Sequence, residues 1–265
     1  MSESKIGKGD LVMIVFESRK RGLKKLLVRL GDERIHTHRG FIEPDDVVGM
    51  PWGSVVRTSK GYEVLIVRPS TADLMEKIAR RTQIVYPKDA GLMILKAGVK
   101  PGDTVVEGGT GSGSLAYALS LAVGESGRVV SYEIRPEFLE LARKNLEMLG
   151  AKNVELKLGD LRKDVEERGV DEFFIDMGAP WEALPMAWEA LKSGGAVCVF
   201  VPSCEQVKKT VVEARRSGFG AIEVMECLVR NYLVDEKRTR PCSRMIGHTG
   251  FIIVGRKVSR GEHER

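Results

Sequence analysis

The chain is short of several things, and each shortage narrows its role. No apolar run approaches the roughly 18 residues needed to cross a bilayer. The opening Met1-Ser-Glu-Ser-Lys5 has none of the apolar character of a secretion signal, so a cytoplasmic protein with no membrane partner is expected. Histidine and cysteine are scarce, four of each, and Cys198, Cys204, Cys227 and Cys242 show no C-x-x-C spacing, so no metal is expected. His36 and His38 alternate onto one face of a predicted strand without a third ligand and are read as strand surface. Reduced thiols are the simpler reading of the cysteines, and disulfides stay open.

Charge, by contrast, is plentiful and unevenly placed. Charged residues make up 30% of the 265, with a net charge of +5. Residues 1–70 hold 13 Lys and Arg against 9 Asp and Glu (+4), residues 71–226 hold 20 against 24 (−4), and residues 227–265 hold 9 against 4 (+5). An acidic middle between basic ends suits a polyanionic substrate that the ends grip and the middle modifies. Hydrophobic residues reach 43%, ample for one large domain and a small one.

The most informative stretch runs from Asp103 to Glu133. Thr104-Val-Val106 is β-branched and ends in Glu107-Gly-Gly-Thr-Gly-Ser-Gly-Ser114, followed by the apolar run 115–123 and a second apolar strand that closes on Glu133. This is a strand, tight turn, helix, strand unit of nucleoside-binding type. Glu133, at the end of the second strand, is placed to accept from both hydroxyls of a ribose, as an acid about 20 residues beyond the glycines does in dinucleotide sites. The spacing is not G-x-G-x-x-G, and the carboxylate at Glu107 would repel a pyrophosphate. It suits instead the amino group or sulfonium of S-adenosylmethionine, and the pattern resembles motif I of class I methyltransferases that use this cofactor.

Around this unit, residues 1–70 read as a small barrel-like or sandwich β domain with strands near 10–16, 25–29, 34–38, 53–57 and 62–67. Arg19-Lys-Arg21, Lys24 and Lys25 fall in its first predicted hairpin, where they can grip phosphate. Residues 71–256 make the large domain, and 257–265 a basic, polar tail. A helix is predicted from Thr71. The irregular segment 81–89 then lies where it can cover a cofactor, with Tyr86 offering a ring or hydroxyl. Beyond Glu133 come a helix over 136–149, a strand over 153–158 delivering Asp160 where it can accept from an adenine amine, and Phe173-Phe-Ile-Asp176, a strand ending in an acid before an irregular Gly178–Trp181 loop. Strands at 221–229 and 249–254 are predicted to pair as an antiparallel edge, with a basic excursion, 236–244, between them.

Taken together, Gln83-Ile-Val-Tyr-Pro-Lys-Asp89, Glu107 to Ser114, Ile175-Asp-Met-Gly-Ala-Pro-Trp181 and Gly247-His-Thr-Gly-Phe251 resemble the tRNA (adenine-N1)-methyltransferase family, in its archaeal and bacterial homotetrameric branch. The resemblance covers essentially the whole chain. It implies an α/β fold, a class I methyltransferase Rossmann-like sheet with a small N-terminal β domain. It also implies a homotetramer that makes 1-methyladenosine at position 58 of the tRNA T-loop, position 57 being left undecided, with S-adenosylhomocysteine as by-product. Glu107, Gly108, Gly109, Thr110, Gly111, Ser112, Gly113 and Ser114 would enclose the methionine part of the cofactor, Glu133 the ribose, and Asp160 with Leu161 the adenine. Asp176 would be the catalytic acid beside the cofactor and Tyr86 a ring near the target base, with Trp181 a second candidate for stacking. His248 and Arg244 fall in the family's C-terminal motif, as subunit or tRNA contacts. A protein carboxyl methyltransferase and a non-catalytic RNA-binding protein are the alternatives.

Overall fold

A computed structural model describes residues 4–18, 22–81 and 83–259. The Arg19-Lys-Arg21 triplet and most of the predicted tail lie outside these. The chain divides into two compact units, one of Met1–Lys77 with Asn231–Ser243 and the other of Ile78–Arg230 with Arg244–Arg265.

In the first unit, β1 (Leu11–Ser18), β2 (Gly22–Arg29), β3 (Ile35–Thr37), β4 (Gly40–Ile42), β5 (Val55–Arg57) and β6 (Glu63–Val67) follow one another. The N-terminal strands pair as an open antiparallel sheet of order β2-β1-β6-β5, with β3 and β4 as a separate ribbon, rather than as a closed barrel. Alternation explains the packing. Val12, Ile14 and Phe16 of β1 point to one side and join Ile35, Ile42, Val56, Val64 and Ile66 in one core. Helix α1 (Thr71–Lys77) opens with a reciprocal cap in which the Ser70 N–H donates to Asp73 Oδ2 (3.0 Å) and the Asp73 N–H to Ser70 Oγ (3.2 Å). Lys25 completes the cap by donating to Asp73 Oδ1 at 2.6 Å.

The second unit begins with α2 (Pro87–Ala97), which takes proline at its first position and closes on left-handed Gly98. It continues through β7 (Thr104–Gly108), α3 (Ser114–Val123), β8 (Arg128–Glu133), α4 (Pro136–Leu149), β9 (Val154–Leu158), β10 (Val170–Ile175), α5 (Leu184–Ala190), β11 (Leu191–Val201), α6 (Cys204–Arg216) and β12 (Phe219–Met225). The hairpin of β13 (Tyr232–Asp235) and β14 (Arg238–Pro241), which belongs to the first unit, forms what the sequence showed only as a basic excursion. Its turn is closed by Asp235 Oδ1, which accepts from the N–H groups of Lys237 and Arg238 at 3.0 and 3.1 Å. Strand β15 (Phe251–Lys257) then returns to the large sheet.

The seven strands order as β12-β15-β11-β10-β7-β8-β9, parallel from β9 to β11, with β15 antiparallel to both its neighbours. The chain runs outward from β7 to β9 and then crosses to β10 on β7's other side. The topological switch therefore falls between β7 and β10, where open α/β sheets bind ligands. Both strands of the predicted antiparallel pair start away from their predicted positions, and of the two only β12 is at the edge of the sheet. Phe219–Met225 carries a register shift at Gly220, with Ala221 at φ +49°, and β15 starts only at Phe251. Thr249 is held out of the ladder because its hydroxyl donates to Asp89 Oδ2 (2.7 Å). Lys88 donates to Asp89 Oδ1 (2.8 Å), to Thr249 Oγ1 and to the Cys227 carbonyl (both 2.6 Å), tying the start of α2 to the approach to β15. The four cysteines are free. Among the described residues no helix is long and apolar enough to cross a membrane, and no group of three or more His, Cys, Asp or Glu is arranged to hold a metal.

Candidate active site

The turn after β7 brings two backbones closer than side chains permit. A Cβ on Gly109, which sits at φ +92°, would lie 1.8 Å from the Asp176 carbonyl oxygen. The Asp176 N–H donates to the Gly108 carbonyl at 2.8 Å, so the ends of β7 and β10 are locked side by side. Gly108 faces Leu161, whose Cδ2 would be 2.2 Å from an added Cβ, and Gly113 abuts Leu146 and Ala142 of α4. Of the eight loop residues predicted to enclose a ligand, these two pack inward and do not line the cavity, because the turn needs their missing side chains for its own closure.

The carboxyl groups come next. Glu107, at the end of β7, is fully buried and accepts a short hydrogen bond from Ser131, which in turn meets Thr110 Oγ1 at 2.6 Å. Its other oxygen, Oε1, is buried without a partner. Burial, and then the charges of Asp176 and Glu133, push its pKa up to about 7. Glu133 spans the loop, accepting from the Gly111 N–H at 3.0 Å and from the Arg135 N–H at 3.1 Å. Asp160 is grasped by Arg162, whose Nη2 donates to Oδ2 at 2.7 Å, and this bond holds its carboxyl below the ordinary carboxylate range. Arg162 also donates to Glu182 at 2.8 Å, linking the turn after β9 to the loop after β10. Asp176 is half-buried, and burial pushes its pKa up to about 7.

Glu107, Glu133, Asp160 and Asp176 line one cavity of about 570 Å³ at the C-terminal ends of the parallel strands, together with Gly109, Thr110, Gly111, Ser112, Ser114 and Leu161. Gln83, Ile84 and Val85 line it from the segment ahead of α2. Tyr86, next in line, precedes α2 half-buried and is not among the lining residues, and Trp181 packs against the core under Lys209, 5.0 Å from its ring. His248 sits beside the rim, with Nδ1 2.6 Å from Glu226 and Nε2 2.9 Å from the carbonyl of Pro202, which lines the cavity. Two acceptors around one ring favour the imidazolium, and the Glu226 carboxylate, then the Pro202 carbonyl, raise its pKa. Sequence reasoning missed Arg135, Arg162, Phe200, Pro202 and Gln206, which also line the cavity. The position of Phe200 and Pro202 at the end of β11 was the available signal, since strand ends beside the switch carry the site.

What this cavity can hold follows from its charge and size. Four carboxyl groups would repel a pyrophosphate, the orphaned Oε1 of Glu107 calls for a donor or a cation, and the volume is that of a small-molecule site. The sulfonium and amino group of S-adenosylmethionine meet the first two requirements and its nucleoside the third, so fold and cavity together define a class I methyltransferase that uses this cofactor. The family profile described as "tRNA methyltransferase complex GCD14 subunit" matches residues 64–240. The chain belongs to this tRNA methyltransferase family. It is 36% identical over 260 residues to the tRNA (adenine(57)-N(1)/adenine(58)-N(1))-methyltransferase TrmI of Methanocaldococcus jannaschii, covering 88% of this chain and 91% of that one. Among solved structures, a SAM-dependent O-methyltransferase from Thermotoga maritima superposes with a TM-score of 0.91 at 38% identity, over 97% of this chain and 96% of that one. The tRNA (m1A58) methyltransferase TrmI from Aquifex aeolicus superposes with a TM-score of 0.85 at 31% identity, over 97% and 100%.

Proposed function

We propose that the chain transfers a methyl group to N1 of adenine in the T-loop of tRNA, at position 58, with position 57 as a second target. The observation that carries the reading is the carboxyl of Asp176, raised to about 7 and sharing a cavity with Glu107 and Glu133, in a chain of this family. When bound, S-adenosylmethionine supplies an electrophilic methyl on a sulfonium and leaves as S-adenosylhomocysteine.

The residues have limited but definite tasks. Glu107 and Glu133 provide negative charge and fixed acceptors for the cofactor's polar groups, Asp160 and Leu161 its adenine subsite, and the Gly109 turn the close backbone approach. Adenine N1 already presents a lone pair, so no base need deprotonate it, and alignment supplies most of the acceleration. The ring becomes cationic as N1 is methylated. Asp176 in its carboxylate form accepts from the adenine amine; burial raises its pKa to about 7, and the developing cation favours its ionisation and is balanced by it. N1 lies on the Watson–Crick edge, so the base has to be unstacked to reach the cavity, and Tyr86, next in the chain to the lining residue Val85, is kept as the candidate ring for it to stack on although it does not itself line the cavity.

The first unit supplies a fitting surface for the RNA backbone. A concave face of about 580 Å³ is lined by Lys24, Lys25, Lys77, His36 and His38. His38 is held below its ordinary pKa by partial desolvation and by Lys24 and Arg39, as befits an electropositive patch. The homotetramer and the cytoplasmic location are retained as part of this reading. The two alternatives, a protein carboxyl methyltransferase and a non-catalytic RNA-binding protein, are not supported by the family to which the chain belongs. Mapping 1-methyladenosine on a T-loop transcript tests the reaction. Asp176→Ala should keep cofactor affinity within about tenfold while losing most single-turnover rate, and a wild-type rate would remove Asp176 from the chemistry.

A further inference from the structure

Gln206 stands in the first turn of α6 and lines the active-site cavity with Asp176, Met177, Gly178, Phe200 and Pro202. Its backbone is pinned, since its N–H donates to the Ser203 hydroxyl that caps the helix. Its side chain is not: the amide oxygen Oε1 is buried and has no hydrogen-bond partner. Buried polar atoms in folded proteins are almost always satisfied, and a rotation of the terminal amide that turns this oxygen into the cavity lets a ligand complete it. Glu107, Glu133 and Asp160, the residues expected around the cofactor, stand at or just beyond the ends of β7, β8 and β9, whereas Asp176, Phe200 and Gln206 stand at or beyond the ends of β10 and β11, on the other side of the topological switch.

We propose that Gln206 reads the target base by its N7 edge, an inference that rests on adenine being the substrate. N1 must stay free to receive the methyl group, and Asp176 accepts from the amine hydrogen on the N1 side. The purine edge left over presents N7 as an acceptor and the second amine hydrogen as a donor, which is the pair a carboxamide matches with two hydrogen bonds. The Gln206 amide group donates to N7, and Oε1 accepts from the amine and so gains the partner it lacks. Guanine in the same pose would place the O6 lone pairs against Oε1, so the same side chain that holds adenine rejects guanine.

The test uses T-loop transcripts carrying either adenosine or 7-deazaadenosine at the target position, with wild type, Gln206→Ala and the shape-retaining Gln206→Met, all shown folded by thermal unfolding. Wild type should be about tenfold slower in kcat/KM on the 7-deaza transcript. Both variants should be about tenfold slower than wild type on adenosine and should treat the two transcripts alike within about twofold. A purely structural role for Gln206 would lower both rates together and leave their ratio at the wild-type value. That result overturns the proposal, and so does a wild type that discriminates less than about twofold. A wild type that methylates neither transcript overturns the adenine reading itself and this inference with it.

Discussion

Binding of S-adenosylmethionine should expel protons, and Glu107 should be a main source of them. Burial holds the pKa of Glu107 and of Asp176 up at about 7, and the charge of Asp176 adds to the rise at Glu107, so the two share their protons around neutrality. At pH 6 each is then about nine-tenths protonated, at pH 7 half, and at pH 8 about one-tenth. A cation within about 4–6 Å lowers a carboxyl pKa by roughly 1–3 units, so a shift of about two units takes the group to near 5 and ionises it by pH 6. The release per group is therefore about 0.8 proton at pH 6 and about 0.1 at pH 8, and affinity should weaken about ninefold per group between pH 8 and pH 6. Titration calorimetry in two buffers of different ionisation enthalpy measures the release directly. Glu107→Gln should remove about 0.8 proton of it at pH 6, and S-adenosylhomocysteine, which lacks the sulfonium, should release less than the methyl donor. Binding enthalpies at pH 6 that are independent of buffer, or a Glu107→Gln protein that releases as much as wild type, would refute the electrostatic picture of the site.

Three further outcomes are expected. Gly109→Ala should abolish measurable cofactor binding, because its Cβ would sit 1.8 Å from the Asp176 carbonyl oxygen, whereas Gly150→Ala, with open space around it, should bind normally and lose about 1 kcal/mol in thermal unfolding. Glu172, buried with one oxygen unpartnered, has its pKa raised to about 7 by burial and then by Asp103 and Asp171. Its folded form holds a proton between about pH 4.5 and 7 that the unfolded chain has lost, so its contribution to stability falls as pH rises through that window. Glu172→Gln should accordingly gain in melting temperature over wild type at pH 8 more than at pH 5, and an equal difference at both would be contrary to this sign. Lys24→Ala with Lys77→Ala should weaken tRNA binding and flatten its logarithmic salt dependence by roughly one to two, read by filter binding across salt, while leaving S-adenosylmethionine affinity alone.

How far the sequence could be read depended on whether a signal was local. The glycine turn, Glu133, Asp160 and Asp176 were legible because parallel strands announce their ends by an apolar run that stops at an acid or a glycine. Helix α4 was legible to the residue, from Pro136 to the left-handed Gly150. Strand β3 fell inside the predicted 34–38 strand, but its partner β4 and the hairpin of β13 and β14 were not legible, since the three residues of β4 and the polar Arg238–Pro241 carry no apolar alternation. The start of β15 slipped for a different reason: Thr249 is claimed by Lys88 and Asp89, about 160 residues earlier in the chain. Gln206 was out of reach because an amide in a helix's first turn looks like any solvated side chain until the ends of β10 and β11 are placed beside it.

The position of β15 between β11 and β12 bears on how the protein is made. Phe200 and Val201 lie against Ile252 and Phe251, and the Phe200 ring rests on Gly250, where a Cβ would come within 2.4 Å of it. A nascent chain that has left the ribosome through the glycine turn, Glu133, Asp160 and Asp176 still has one cavity wall without support. Ligand capture then waits for residues 250–257 to emerge, and a fragment truncated before them would reach the cell's proteases with no bound nucleoside to shield it.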